Sequence, residues 1–181
     1  MKHVRTAIVR GAICLAALGI CVSTVGANPA PTINVTVTIQ NVSVTASGPI
    51  AFGTVVAGST TVSDDFSDVD NDGNVTETYS LKLTDPVGTW TAVQAAPGVA
   101  EYCLSAQFNA TKPTAISFVY LDHALTDTDS TSSASKFAGG QTGASVAAAG
   151  ARSLWFKFQA PSSTTVWTEQ TITVTITATA D

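Results

Sequence analysis

In Ile33-Asn34-Val35-Thr36-Val37-Thr38-Ile39 every odd residue is apolar and every even one polar, and the same alternation returns in Thr171-Ile172-Thr173-Val174-Thr175-Ile176-Thr177. A period of two over seven residues gives a strand with one dry face and one wet face. Residues 28–181 carry 26 Thr and 16 Val against 6 Leu and 3 Glu. β-branched side chains suit a pleated surface and lose rotamer freedom in a helix, so this balance favours sheet throughout. Residues 79–83, 102–108, 116–121 and 154–158 read as further strands, and no helical stripe appears beyond the first 27 residues. Ser47-Gly48-Pro49, Ala57-Gly58-Ser59, Asn71-Asp72-Gly73-Asn74, Asp85-Pro86 and Pro97-Gly98 supply turns between them. About seven to nine short strands with such punctuation predict an all-β antiparallel sandwich. The apolar phase slips between Ile39 and Val42, where a bulge or a change of sheet would restore it. Residues 127–151, mostly Ser, Thr, Gly and Ala, read as a long loop with a short strand at Lys136-Phe137.

The first 27 residues have another character. Lys2, Arg5 and Arg10 precede an apolar run from Gly11 to Val22, and Val25-Gly26-Ala27 offers small residues for cleavage. That is the pattern of a signal peptide. Export would leave one domain, residues 28–181, with a net charge of −8. Its destination would be the extracellular space or the cell surface, with the periplasm as the other address. So acidic a surface argues against nucleic acid, and no later apolar run reaches the roughly 20 residues that span a bilayer. Cys14 and Cys21 lie in the leader, behind Ile13 and Ile20 rather than the small residues of a lipid-anchor site. Cys103 is left without an internal partner.

The stretch Ile50-Ala51-Phe52-Gly53-Thr54-Val55-Val56-Ala57-Gly58-Ser59, followed by Asn71-Asp72-Gly73-Asn74, resembles the opening of Hydin-type immunoglobulin-like domains. The match covers residues 50–83. It implies an immunoglobulin-like sandwich, a phenylalanine-glycine strand end and an Asn-rich hairpin turn. Leu154-Trp155-Phe156-Lys157-Phe158 and the Thr-rich end are similar to small secreted bacterial β-sandwich proteins. Neither resemblance implies an activity. One departure stands out: five of the nine residues from 64 to 72 are Asp, and Phe66 and Val69 cannot both point inward from a regular strand.

Asp68, Asp70 and Asp72, followed by Gly73, have the spacing of the first half of a calcium loop. The twelfth position, however, is Tyr79 rather than a bidentate acid, and a solvated Asp-rich turn is the plainer alternative. Catalysis has little to draw on. His123 and Cys103 are the only His and Cys after the leader, no Gly-x-Ser-x-Gly elbow occurs, and Cys103 sits within a strand pattern. The chain therefore reads as no enzyme and as requiring no cofactor, calcium apart. If Leu154, Phe156 and Phe158 face the core, Trp155 and Lys157 face outward as a partner or glycan surface, unless a neighbouring loop covers the indole. Trp90 and Trp167 read as lids on the core. The two end strands, 32–39 and 171–178, carry no charge in their central seven residues and could complete a neighbour's sheet. Self-association, or contact with other cell-surface proteins, is the partnership expected.

Overall fold

The computed structural model describes residues 31–86 and 89–181; the expected leader at 1–27 lies outside them. The chain divides into a unit ending at Val37 and a unit from Thr38 to Asp181, and all the strands belong to the second. Six strands form one sheet: β1 (Val44–Ala46), β2 (Thr60–Val62), β3 (Ser67–Asn71), β5 (Thr91–Ala92), β6 (Glu101–Phe108) and β8 (Ala151–Gln159). The other sheet holds β4 (Glu77–Thr84), β7 (Ser130–Thr131) and β9 (Thr173–Ala180). The larger sheet runs β1-β3-β8-β6-β5, with β2 on β8 beyond the end of β3, and the smaller runs β7-β4-β9. Every pairing is antiparallel except β5 with β6. The chain is thus all-β and sandwich-like.

Alternation explains which side chains meet between the sheets. β4 turns Tyr79, Leu81 and Leu83 inward and leaves Ser80 and Lys82 on the far side. β9 does the same with Val174, Ile176 and Ala178, leaving its threonines out. Leu104, Ala106 and Phe108 of β6 lie beside Phe158, Phe156 and Leu154 of β8, cross-strand neighbours on the inner face of the larger sheet. At one end the Phe158 ring gathers Phe52, Tyr102 and Trp90 at centroid distances of 5.5, 6.0 and 6.2 Å.

The Asp-rich stretch is a break in an edge. β2 and β3 lie along the same side of β8, Val62 opposite Lys157 and Ser67 opposite Leu154. Ser63 continues the ladder, its N–H on the Phe156 carbonyl at 2.8 Å and its hydroxyl accepting from the Phe156 N–H at 3.2 Å. Asp64, Asp65 and Phe66 then oppose the single residue Trp155, a bulge that resets the phase. Ser67, Val69 and Asn71 can now point inward while Phe66 turns onto the Trp155 ring, 5.3 Å away. Aspartates suit a segment outside the ladder, and Asp64 pairs with Lys112 at 2.8 Å.

Four expectations are corrected. Residues 33–39 form no strand: among the described residues no sheet edge pairs with them. The Asn-rich turn joins no hairpin: it carries the chain from β3 in one sheet to β4 in the other. Residues 116–121 hold a 3-10 turn (Ala115–Ser117) and the start of α1 (Tyr120–His123), since the segment caps the outer face of β6 and β8 rather than joining a sheet. The loop at 127–151 is pinned to the core by the fully buried Phe137 and Val146, and its strand is Ser130–Thr131, not Lys136-Phe137.

Candidate interaction surface

The outward face of β8 is covered. Trp155 and Lys157 are 6% and 5% exposed, so they form no open partner or glycan surface. The cover comes from residues 109–123, and Phe66 adds to it. The Trp155 indole N–H donates to the Asn109 carbonyl at 2.9 Å, and Lys157 Nζ donates to the Phe118 carbonyl at 3.1 Å beneath the Phe118 and Tyr120 rings. Burial holds the Lys157 ammonium below the usual lysine range. Of the expected core lids, Trp90 stacks on Phe158, whereas Trp167 is 83% exposed.

The catalytic candidates are equally enclosed. His123 Nδ1 accepts from the Val119 N–H at 2.9 Å, which leaves the proton on Nε2 for the Ala138 carbonyl, also 2.9 Å away. Both ring nitrogens are thereby engaged in holding the cover segment. Cys103 is fully buried, and burial pushes its thiol above the ordinary value. Asp68 and Asp70 occupy outward positions of an extended strand and Asp72 follows its end, so the backbone spaces them rather than wrapping them around a point. Among the described residues no three His, Cys, Asp or Glu side chains gather closely enough to hold a metal. Lys82 reaches Asp129 at 3.2 Å on the surface.

The turn after β3 does have a function, which is to fix where the N-terminal part of the sandwich begins. Asn71 is buried; its amide donates to the carbonyls of Val75 and Val146 at 2.8 and 2.9 Å, while its oxygen accepts from Gly73 N–H at 2.9 Å. Asn74 binds the incoming chain at three points: its oxygen takes the Asn41 N–H, its amide donates to the Ile39 carbonyl, and its backbone N–H donates to the Asn41 carbonyl. The buried Glu77 carboxylate accepts from Ser43 N–H at 2.8 Å. Gly73 must be glycine, because a Cβ there would lie 2.5 Å from the Asn41 carbonyl oxygen and against Glu77. Asn71→Ala leaves the Val75 carbonyl and the Gly73 N–H without partners and takes one of two donors from the Val146 carbonyl, which keeps the Glu77 N–H, so it is expected to destabilise the fold by about 2–4 kcal/mol in urea unfolding.

Beyond this clamp the sandwich is open along one side. A groove of about 940 Å³ separates residues 46–55 from residues 164–176, with Leu104, Phe156 and Phe158 along its floor. Among the described residues β9, on one wall, pairs with β4 alone, and β1 lies near its other edge without pairing to it. Its inward residues Val174 and Ile176 are half-buried. Gly53, on the opposite wall, and Gly58 beyond it adopt φ of 62° and 75°, left-handed conformations that favour glycine, and residues 47–59 hold no strand. Separately, Ile33, Val35, Val37 and Ile39 are 87%, 88%, 82% and 77% exposed. Sequence reasoning found this segment but neither the groove nor the Asn71–Glu77 clamp. No family model, curated protein or solved structure matches the chain.

Proposed function

We propose that this chain is an exported, non-enzymatic protein with a structural or interaction role at or outside the cell surface, and that it associates with copies of itself through its N-terminal strand sequence. The observation that carries this reading is the exposure of all four apolar residues on one face of the 33–39 repeat. A stripe of that kind on a water-facing chain marks an interaction segment. An immunoglobulin-like sandwich stapled by core packing rather than disulfides suits a rigid subunit, and the leader pattern at 1–27 supports export. The enclosure of His123 and Cys103 favours a framework over a catalyst. No helix among the described residues is long and apolar enough to cross a membrane.

Size-exclusion chromatography with light scattering on the purified protein tests the reading. Mass is expected to rise with concentration well beyond one chain. A strict monomer over a hundredfold concentration range would count against self-association and move the role toward binding other cell-surface proteins.

A further inference from the structure

Only the groove comes with something on the same chain that fits it.

We propose that the groove beside β9 receives residues 33–39 of a second copy of the chain, which adds a strand to the unpaired edge of β9 and sets Ile33, Val35, Val37 and Ile39 against the core. This assignment rests on the self-association reading above and names its site. The backbone of β9 offers a row of unpaired N–H and carbonyl groups, and an extended segment satisfies such a row by strand addition. The floor is made of side chains that are core elsewhere in the sandwich, Leu104, Phe156 and Phe158, so the space has the chemistry of a missing core strand. Ile172, Val174 and Ile176 reach only partial burial there because nothing packs over them.

Length and charge agree. Seven extended residues span about 23 Å, close to the reach of the eight residues of β9. Residues 31–43 carry no charge, and the groove lining contains a single charged residue, Glu169. Insertion therefore buries no ion. The alternating threonines of the segment would face out, as those of β9 do.

Residues 39–43 are bound in extended form to Asn74, Asp72 and Glu77, and they lead directly into β1. No glycine or proline stands anywhere from 33 to 47 to turn the chain sharply there. Donor segment and groove are different surfaces of one chain, so each added copy leaves one of each unfilled. Contacts of this head-to-tail kind extend into filaments unless the rotation closes a ring.

The test uses the full chain as expressed and purified. The variant Val35→Asp with Val37→Asp leaves the sandwich untouched and is expected to run as a monomer with an unchanged melting curve. Its empty groove should capture a synthetic peptide of residues 31–41. The same peptide with both valines changed to Asp should bind about 100-fold more weakly, each buried valine being worth roughly tenfold. For placement, Val35→Cys and Ile176→Cys variants are mixed and oxidised; a disulfide between the two chains is expected in the mixture and in neither variant alone. Cys103 is buried and stays out of this exchange, and Cys14 and Cys21 are changed to Ser in both variants. Assembly that persists in the double Asp variant overturns the groove assignment while self-association stands. A wild-type chain that stays monomeric and a double Asp variant that ignores the peptide overturn both. A chain carrying both cysteines that crosslinks within itself gives the groove to its own segment and also overturns the proposal.

Discussion

Replacing Phe158 by alanine is expected to lower the unfolding free energy by about 3–5 kcal/mol, the range for removing a fully packed aromatic ring from a core. Phe158 is 6% exposed and touches three other rings, Phe52, Tyr102 and Trp90. No single neighbour can close the space its removal leaves. Tyr102 is held by its hydroxyl, which donates to the Asp85 carboxylate at 2.6 Å, and Trp90 by its indole N–H, which donates to Thr164 at 3.0 Å. Two of the three surrounding rings are thus anchored at their polar ends and cannot swing inward without losing a hydrogen bond. Phe52 is less fixed, sits on the groove wall, and should cost less when cut to alanine. Urea unfolding of the two variants checks the order. Equal losses for Phe52 and Phe158 would mean that the cluster is not organised around the β8 ring.

The sandwich was legible because its strands obey a local rule. Residues 79–83, 102–108 and 154–158 all lie in strands, β4, β6 and β8, and in each the expected alternate side chains reach the core. The C-terminal repeat also sits where it was read, with Ile172, Val174 and Ile176 on the inward side. The identical signal at 33–39 led elsewhere, and the reason is physical. Alternation says that a segment can be a strand; it does not supply the edge that pairs with it. The rule succeeded at β4, β6, β8 and β9 and failed at 33–39 and 116–121, which pair with no strand among the described residues.

Other misses share a cause. Trp155 and Lys157 were placed outward by parity, and on β8 they are outward; what parity omits is a third layer. Residues 109–123 contain no strand pattern strong enough to announce that they lie across β6 and β8. Yet Cys103, Ser105 and Gln107 on the outer face of β6 are all buried beneath them. A hint was present in composition: the outer face of β6 carries no charged residue between Glu101 and Phe108, which is unusual for a face meeting water. The crowded aspartates at 64–72 gave a truer warning that the strand was interrupted, and the bulge opposite Trp155 is that interruption. The clamp at Asn71, Asn74 and Glu77 was unreadable for a different reason, since its hydrogen bonds join residues over 30 positions apart.

Raising the pH past about 10 is expected to destabilise the protein, and Tyr79 supplies a large part of the loss. Its phenol is buried without a hydrogen-bond partner, and burial first, then the nearby Glu77 charge, push its pKa up to about 12. Burial and the Asp85 carboxylate raise Tyr102 as well. In the unfolded chain both would ionise near pH 10. A folded-state pKa above the unfolded one means that stability is complete below about pH 10 and drains away as pH climbs toward the folded value, because the unfolded state releases its proton first. For Tyr79, two pH units correspond to at most about 2.7 kcal/mol. Lys157 acts in the opposite sense: its folded pKa is lowered, so stability rises through the window just beneath the ordinary lysine value. That gain is finished near pH 10.5, where the tyrosine loss is only beginning; Lys136, also lowered by burial, acts as Lys157 does, and the raised Cys103 thiol adds to the loss. Tyr79→Phe removes a hydroxyl that bonds to nothing, so it should leave stability at pH 7 within about 1 kcal/mol of wild type or above it. At pH 11 to 12 the variant should be clearly the more stable chain, by up to the same 2.7 kcal/mol. Tyr102→Phe should behave differently, losing stability already at pH 7 because Asp85 loses a donor. Urea unfolding at pH 7 and pH 11.5 separates these outcomes. Parallel losses in wild type and Tyr79→Phe would show that the Tyr79 phenol ionises freely and is not sealed in the core.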